Sequence, residues 1–96
     1  MTDGGFGRKF IFVKILHHQM RIVKEIEGKP CKITVFSWNG KYIIKLEKGP
    51  FEQTFKVSEF DFMEDEIDDI LNEEFLADAI TRFSAMALSL KKATDY

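Results

Sequence analysis

"TVFSWNGKYIIKL" (residues 34–46) decides the fold of this chain. Asn39-Gly40 sits between two runs of strand-forming residues. A two-residue Asn-Gly loop suits a type I′ turn, in which both central residues need positive φ. The loop length also fixes the register, because cross-strand partners follow by counting outward from it. Trp38 faces Lys41, Ser37 faces Tyr42, Phe36 faces Ile43 and Val35 faces Ile44; Thr34–Lys45, Ile33–Leu46 and Lys32–Glu47 complete the ladder. One face then holds Ile33, Val35, Tyr42, Ile44 and Leu46, with Cys31 at its margin, and reads as the core. The other holds Lys32, Thr34, Phe36, Trp38, Lys41, Ile43, Lys45 and Glu47.

Working outward, "RIVKEIE" (21–27) reads as a strand ended by the turn residues Gly28-Lys29-Pro30. "KGP" (48–50) makes a further turn into "FEQTFKV" (51–57). In that last strand Phe51, Phe55 and Val57 alternate with Glu52, Thr54 and Lys56, which join the second face. "RKFIFVKIL" (8–16) is apolar on both alternating faces, and its β-branched and aromatic content tips it toward a fifth strand. "MTDGGFG" (1–7) reads as a flexible arm. Met20 opens a strand cleanly, which allows an alternative start that would omit residues 1–19.

After residue 57 the period changes. Ile67, Leu71, Phe75, Leu76, Ala79, Ile80, Phe83, Met86, Ala87 and Leu90 recur at steps of three and four, the pattern of an amphipathic helix. Ser58 or Asp61 is placed to cap it, and Asp61 with Glu64 resembles a capping box. An unbroken helix over 62–91 would be about 45 Å long, whereas a seven-residue strand spans about 23 Å. The helix must therefore break, with Asn72 the natural place, or carry its far end onto something else. The second alternative is preferred, because "FLADAITRFSAMALSL" (75–90) stays apolar to its end; a second copy of the chain is the simplest cover.

The expectation is thus one α+β domain over 1–96. Its sheet region covers 8–57 and forms an antiparallel meander of four to five strands. A helical region over 58–92 packs a long C-terminal helix on one face. Ninety-six residues suffice for one modest core. No apolar run approaches the ~20 residues of a membrane helix. "FIFVKIL" is too short for one, and no small-residue cleavage site marks it as a secretory signal. A single cysteine, Cys31, forbids an internal disulfide and suits a reducing compartment, so the default location is cytoplasmic.

The net charge of −2 conceals an asymmetry. Residues 1–57 carry eleven Lys/Arg against five Asp/Glu, whereas residues 58–96 carry three against eleven. Such halves can attract each other within one molecule or between two copies. On a helix, Asp61, Glu64, Asp65 and Asp68 fall on one stripe, which is either a solvated face or a dock for a basic partner.

Little catalytic chemistry is legible. His17-His18 point to opposite sides of a strand and do not share a metal, and "MEDEIDD" (63–69) lacks the spacing and central glycine of a calcium loop. Cys31 has no histidine beside it and reads as a small buried hydrophobe. No phosphate loop, catalytic triad or carboxylate pair stands out, so neither enzymatic activity nor a cofactor is expected.

The second sheet face is the main functional candidate. Phe36, Trp38 and Ile43 stand among Lys32, Lys41, Lys45 and Lys56. The aromatics either reinforce the hairpin, lie under residues 8–19, or form a contact surface. The leading expectation is a non-catalytic cytoplasmic adaptor, homodimeric, that contacts a protein through this face, the acidic helix, or both. The alternative is single-stranded nucleic acid, with bases stacked on Trp38 and Phe36 and phosphates on the lysines. In topology only, a four-strand meander followed by a long helix resembles a family of single-stranded DNA-binding proteins that dimerise through that helix; no residue motif accompanies the likeness. The overall acidity, the acidic helix and the lack of arginines on the sheet face count against it.

Overall fold

The computed structural model describes residues 20–28 and 30–95. The expected arm, the added strand over 8–16 and the His17-His18 pair lie outside them. Four strands form one antiparallel sheet in sequential order: β1 (Arg21–Ile26), β2 (Lys32–Trp38), β3 (Lys41–Lys48) and β4 (Phe51–Ser58). The β2–β3 register follows the Asn39-Gly40 loop pair for pair, from Trp38–Lys41 to Lys32–Glu47. Asn39 and Gly40 both take positive φ, 54° and 77°, as the type I′ turn requires. In β4, Val57, Phe55 and Gln53 stand opposite Tyr42, Ile44 and Leu46, so the odd positions share the core face.

β1 departs from plain alternation. Ile22 pairs with Phe36 but Lys24 pairs with Val35, so the register shifts across a bulge at Val23. The bulge puts Ile22 on the outer face with Phe36. It turns Lys24 and Ile26 to the side that the helices cover.

Those helices do not form one rod. A 3-10 turn (Glu64–Glu66) leads into a single turn of helix, α1 (Ile67–Ile70), and after a break comes the long α2 (Glu73–Thr94). Leu71 leaves helical geometry at φ −84°, ψ 48°. Asn72 then caps α2: its side-chain oxygen accepts the Phe75 N–H at 2.9 Å, and its amide donates to the Asp69 carbonyl at 2.9 Å. The break is therefore real, contrary to the preference for an unbroken helix. The elbow folds Ile67 back onto the sheet, where it is 1% exposed, while α2 crosses the sheet on its own.

The expected caps also differ. Ser58 closes a turn instead: its hydroxyl accepts the Phe60 N–H at 3.0 Å and its carbonyl accepts the Asp61 N–H at 3.2 Å. Helical geometry begins only at Glu64, after the N-cap Met63, whose N–H donates to the Glu66 carboxylate at 2.6 Å. Asp61 caps nothing, because the turn at 58–61 spends the residues that would have carried the chain straight into a helix.

The core combines Cys31, Ile33, Val35, Tyr42, Ile44 and Leu46 from the sheet with Ile67, Ala79 and Phe83 from the helices. Burial holds the Cys31 thiol above its ordinary pKa, with the nearby Lys48 charge opposing. α2 is fastened to β4 by a small network. Gln53 donates to the Ala79 carbonyl at 2.9 Å and accepts from Arg82 Nε at 2.8 Å, while the Arg82 guanidinium lies over the Phe55 ring at 5.7 Å. Phe55 meets Phe75 edge to face, with centroids 5.2 Å apart.

Candidate binding surfaces

The outer face of the sheet carries the predicted site residues. Phe36, Trp38 and Ile43 are all half-buried, and Thr34 at its centre is only 5% exposed. Ile22, Phe36 and Ile43 stand side by side on β1, β2 and β3, making one apolar row across three strands. Ile22 is 58% exposed and was not among the predicted residues. Plain alternation groups it with Lys24 and Ile26, and only the bulge separates them.

The four lysines do not form a basic field. Lys32 reaches Glu25 at 3.5 Å and Glu27 at 3.7 Å, and Lys45 reaches Glu47 at 3.9 Å and Glu52 at 3.7 Å. The charges of Glu27 and then Glu25 push the Lys32 ammonium above its ordinary pKa. Exposed pairs of this kind add little stability, but they set the potential of the surface. Lys41 and Lys56 remain exposed at the margins.

The predicted acidic stripe is rearranged. Asp61 lies in the turn before the helical segment and takes no part. Glu64 meets Arg21 at 3.5 Å, and Asp68 meets Lys24. The contrast between basic and acidic halves is thus partly satisfied within one molecule, with two ion pairs tying the 3-10 turn and α1 to strand β1. Between these elements lies a groove of about 440 Å³ lined by Val23, Lys24, Met63, Glu64, Asp65, Ile67 and Asp68. Met63, at its edge, is 71% exposed. Nothing in the spacing of "MEDEIDD" shows that a β1 side chain would form the opposite wall.

A third surface lies at the far end of α2. Phe83 is beside the turn between β3 and β4, and together with Lys48, Gly49, Pro50, Phe51, Ser84 and Ala87 it lines a groove of about 350 Å³. Beyond it the helix continues from residue 84 to 94, about 16 Å at 1.5 Å per residue. Leu90, on the same stripe as Phe83, is 48% exposed, and Leu88 on the opposite stripe is 55% exposed.

Among the described residues no three His, Cys, Asp or Glu side chains gather as a metal site. No helix there is long and apolar enough to cross a membrane. Comparison with protein-family models, with curated proteins and with solved structures finds no match to this chain.

Proposed function

We propose that this is a non-catalytic, cytoplasmic protein-binding domain whose main contact surface is the outer face of the sheet. The observation that carries the reading is the apolar row Ile22–Phe36–Ile43, continued by Trp38 and bordered by Lys32 and Lys45, both paired with carboxylates, with Lys41 and Lys56 exposed at the margins. An apolar centre with a charge-balanced rim is the anatomy of a protein interface. Single-stranded nucleic acid needs the reverse, a net positive track along which phosphates displace counterions. Here the carboxylates of Glu25, Glu27, Glu47 and Glu52 occupy that track. The cytoplasmic part of the reading rests on the single, buried cysteine. Self-association belongs to the same reading: the end of α2 beyond the Phe51–Phe83 groove, where Leu90 is exposed on the Phe83 stripe, suits a second copy of the chain.

One titration separates the readings. Trp38 is the only tryptophan, so its fluorescence reports directly on the face. A short poly-pyrimidine oligonucleotide should leave it unchanged at low and moderate salt. Quenching that fades steeply with salt overturns the protein-contact reading in favour of nucleic acid. For the protein partner, a photoreactive side chain at Ile43 should crosslink one discrete polypeptide, and Trp38→Ala should abolish that product while the fold is retained.

A further inference from the structure

We propose that the groove between β1 and the 3-10 turn docks a short segment of a partner protein that is both basic and apolar. The inference rests on the reading of the chain as a protein-binding domain, but it concerns the opposite side of the sheet. Two features coincide there. The groove is apolar at its base, where Val23 and the fully buried Ile67 meet, and the exposed thioether of Met63 extends that base to the surface. At about 440 Å³ it is the size of an ordinary ligand cleft.

The second feature is charge. Nine carboxylates lie between residues 59 and 74, with no lysine or arginine among them. Arg21 and Lys24 pair with Glu64 and Asp68, and no ion pair with another described residue engages Asp65 on the rim. At the groove itself Glu64, Asp65 and Asp68 face Lys24 and Arg21, which leaves one net negative charge on the rim, at Asp65, within a flanking segment rich in carboxylates. Nucleic acid and anionic lipid headgroups are repelled by such a rim. A wholly polar cation would gain nothing from Met63 and Val23. A segment with two or three Lys or Arg beside two or three apolar side chains satisfies both features, its cations meeting the rim while its apolar groups cover Met63. Lys24 is the natural point of exchange, since a cation from the partner can compete for the Asp68 carboxylate.

The test uses the full chain and a labelled ten-residue peptide of alternating lysine and leucine, followed by fluorescence anisotropy. Saturable binding is expected, weakening severalfold between low and moderate salt without vanishing. Met63→Ser and Asp65→Lys alter exposed side chains, so the fold is retained; each should weaken binding by about three- to fivefold, the scale of one lost apolar contact or one reversed surface charge. Asp78→Lys, which reverses the same charge on α2 outside the groove, should change affinity less than twofold. Trp38→Ala should leave it unchanged, which separates this groove from the sheet face. Peptides with glutamate for lysine, or serine for leucine, should not bind. The proposal is overturned if no binding occurs at millimolar peptide, or if Asp65→Lys and Asp78→Lys weaken it equally, since the attraction is then diffuse. It is also overturned if Met63→Ser abolishes self-association in sedimentation velocity, which would make the occupant a second copy.

Discussion

Replacing Asn72 tests the elbow on which the acidic groove depends. The side chain makes two hydrogen bonds, accepting from the Phe75 N–H and donating to the Asp69 carbonyl. Loss of an N-cap acceptor costs about 1 kcal/mol. The donated bond, at an exposed site, adds about 0.5 kcal/mol. Asn72→Ala should therefore destabilise the domain by about 1.5 kcal/mol, roughly a 6–12 °C fall in Tm for a chain of this size. Asn72→Asp should cost less than half as much. It keeps the acceptor and places a negative charge at a helix N-terminus, but it loses the donor and sits close to Asp69. Alanine also favours continuation of the helix through Leu71, and that tendency has an opponent. Straightening the elbow would carry Ile67 out of the core, and exposing a fully buried isoleucine costs about 1.5–3 kcal/mol. The helix-propensity gain of alanine over asparagine is below about 1 kcal/mol, so the elbow should persist. Urea unfolding and far-UV circular dichroism measure both parts. A loss below about 0.3 kcal/mol, or a rise in helical signal at 222 nm, would refute the reasoning.

Three further outcomes follow from the same packing. Gln53→Ala removes one bond to the Ala79 carbonyl and one from Arg82, so urea unfolding should show a loss of about 1–2 kcal/mol. In a double-mutant cycle with Arg82→Ala the two should couple by about 0.5 kcal/mol or more, since they share a bond. The Cys31 thiol is 3% exposed and held above its ordinary pKa by burial, so at neutral pH a thiol reagent should modify it only at the rate of unfolding. The Tyr42 phenol is pushed up, first by burial and then by the charges of Glu59 and Glu64. The fold therefore favours the neutral phenol: stability linked to Tyr42 is complete below about pH 10 and declines as pH rises further, whereas Tyr42→Phe should flatten that alkaline decline.

The sheet was more legible than the helices for a geometric reason. A two-residue loop leaves one way to count partners, and every β2–β3 pair then follows, as does the parity of β4 across a short turn. β1 joins through Gly28 and Pro30 with a bulge inside it, and no count outward survives an extra residue. Ile22, the missed member of the apolar row, is lost at that step. So are Glu25 and Glu27, which neutralise Lys32, although Glu47 and Glu52 were already on the outer face by counting. The helical period misled differently. Ile67 and Leu71 pack on the same core as Phe75 and Ala79, so the spacing of three and four runs straight through the elbow. What marks the break is Asn72 followed by Glu73 and Glu74, a cap with acids in the first turn. A cap signal inside a continuous apolar period deserves more weight than the period, because burial alone sets the period while the cap reports where backbone N–H groups lose their partners.

That distinction bears on how the two faces of the molecule relate. The elbow that periodicity concealed also places Met63, Asp65 and Asp68 beside β1, while the bulge in β1 sends Ile22 outward and Lys24 inward. One strand thus contributes to both surfaces: Ile22 to the apolar row and Val23 and Lys24 to the acidic groove. Lys24 and Arg21 bind α1 and the 3-10 turn to this strand through exposed ion pairs, which are weak individually and screened by salt. A cationic segment entering the groove competes with those pairs, and release of Lys24 from Asp68 loosens the hold of the helical segment on β1. The two surfaces are then linked through a strand six residues long. Substituting Lys24 with methionine removes the competitor while keeping the stem that packs beside Val23. Peptide affinity at the groove should therefore rise with Lys24→Met, by about the severalfold that one exposed ion pair represents. A fall in affinity would mean that Lys24 holds the groove open rather than competing for it.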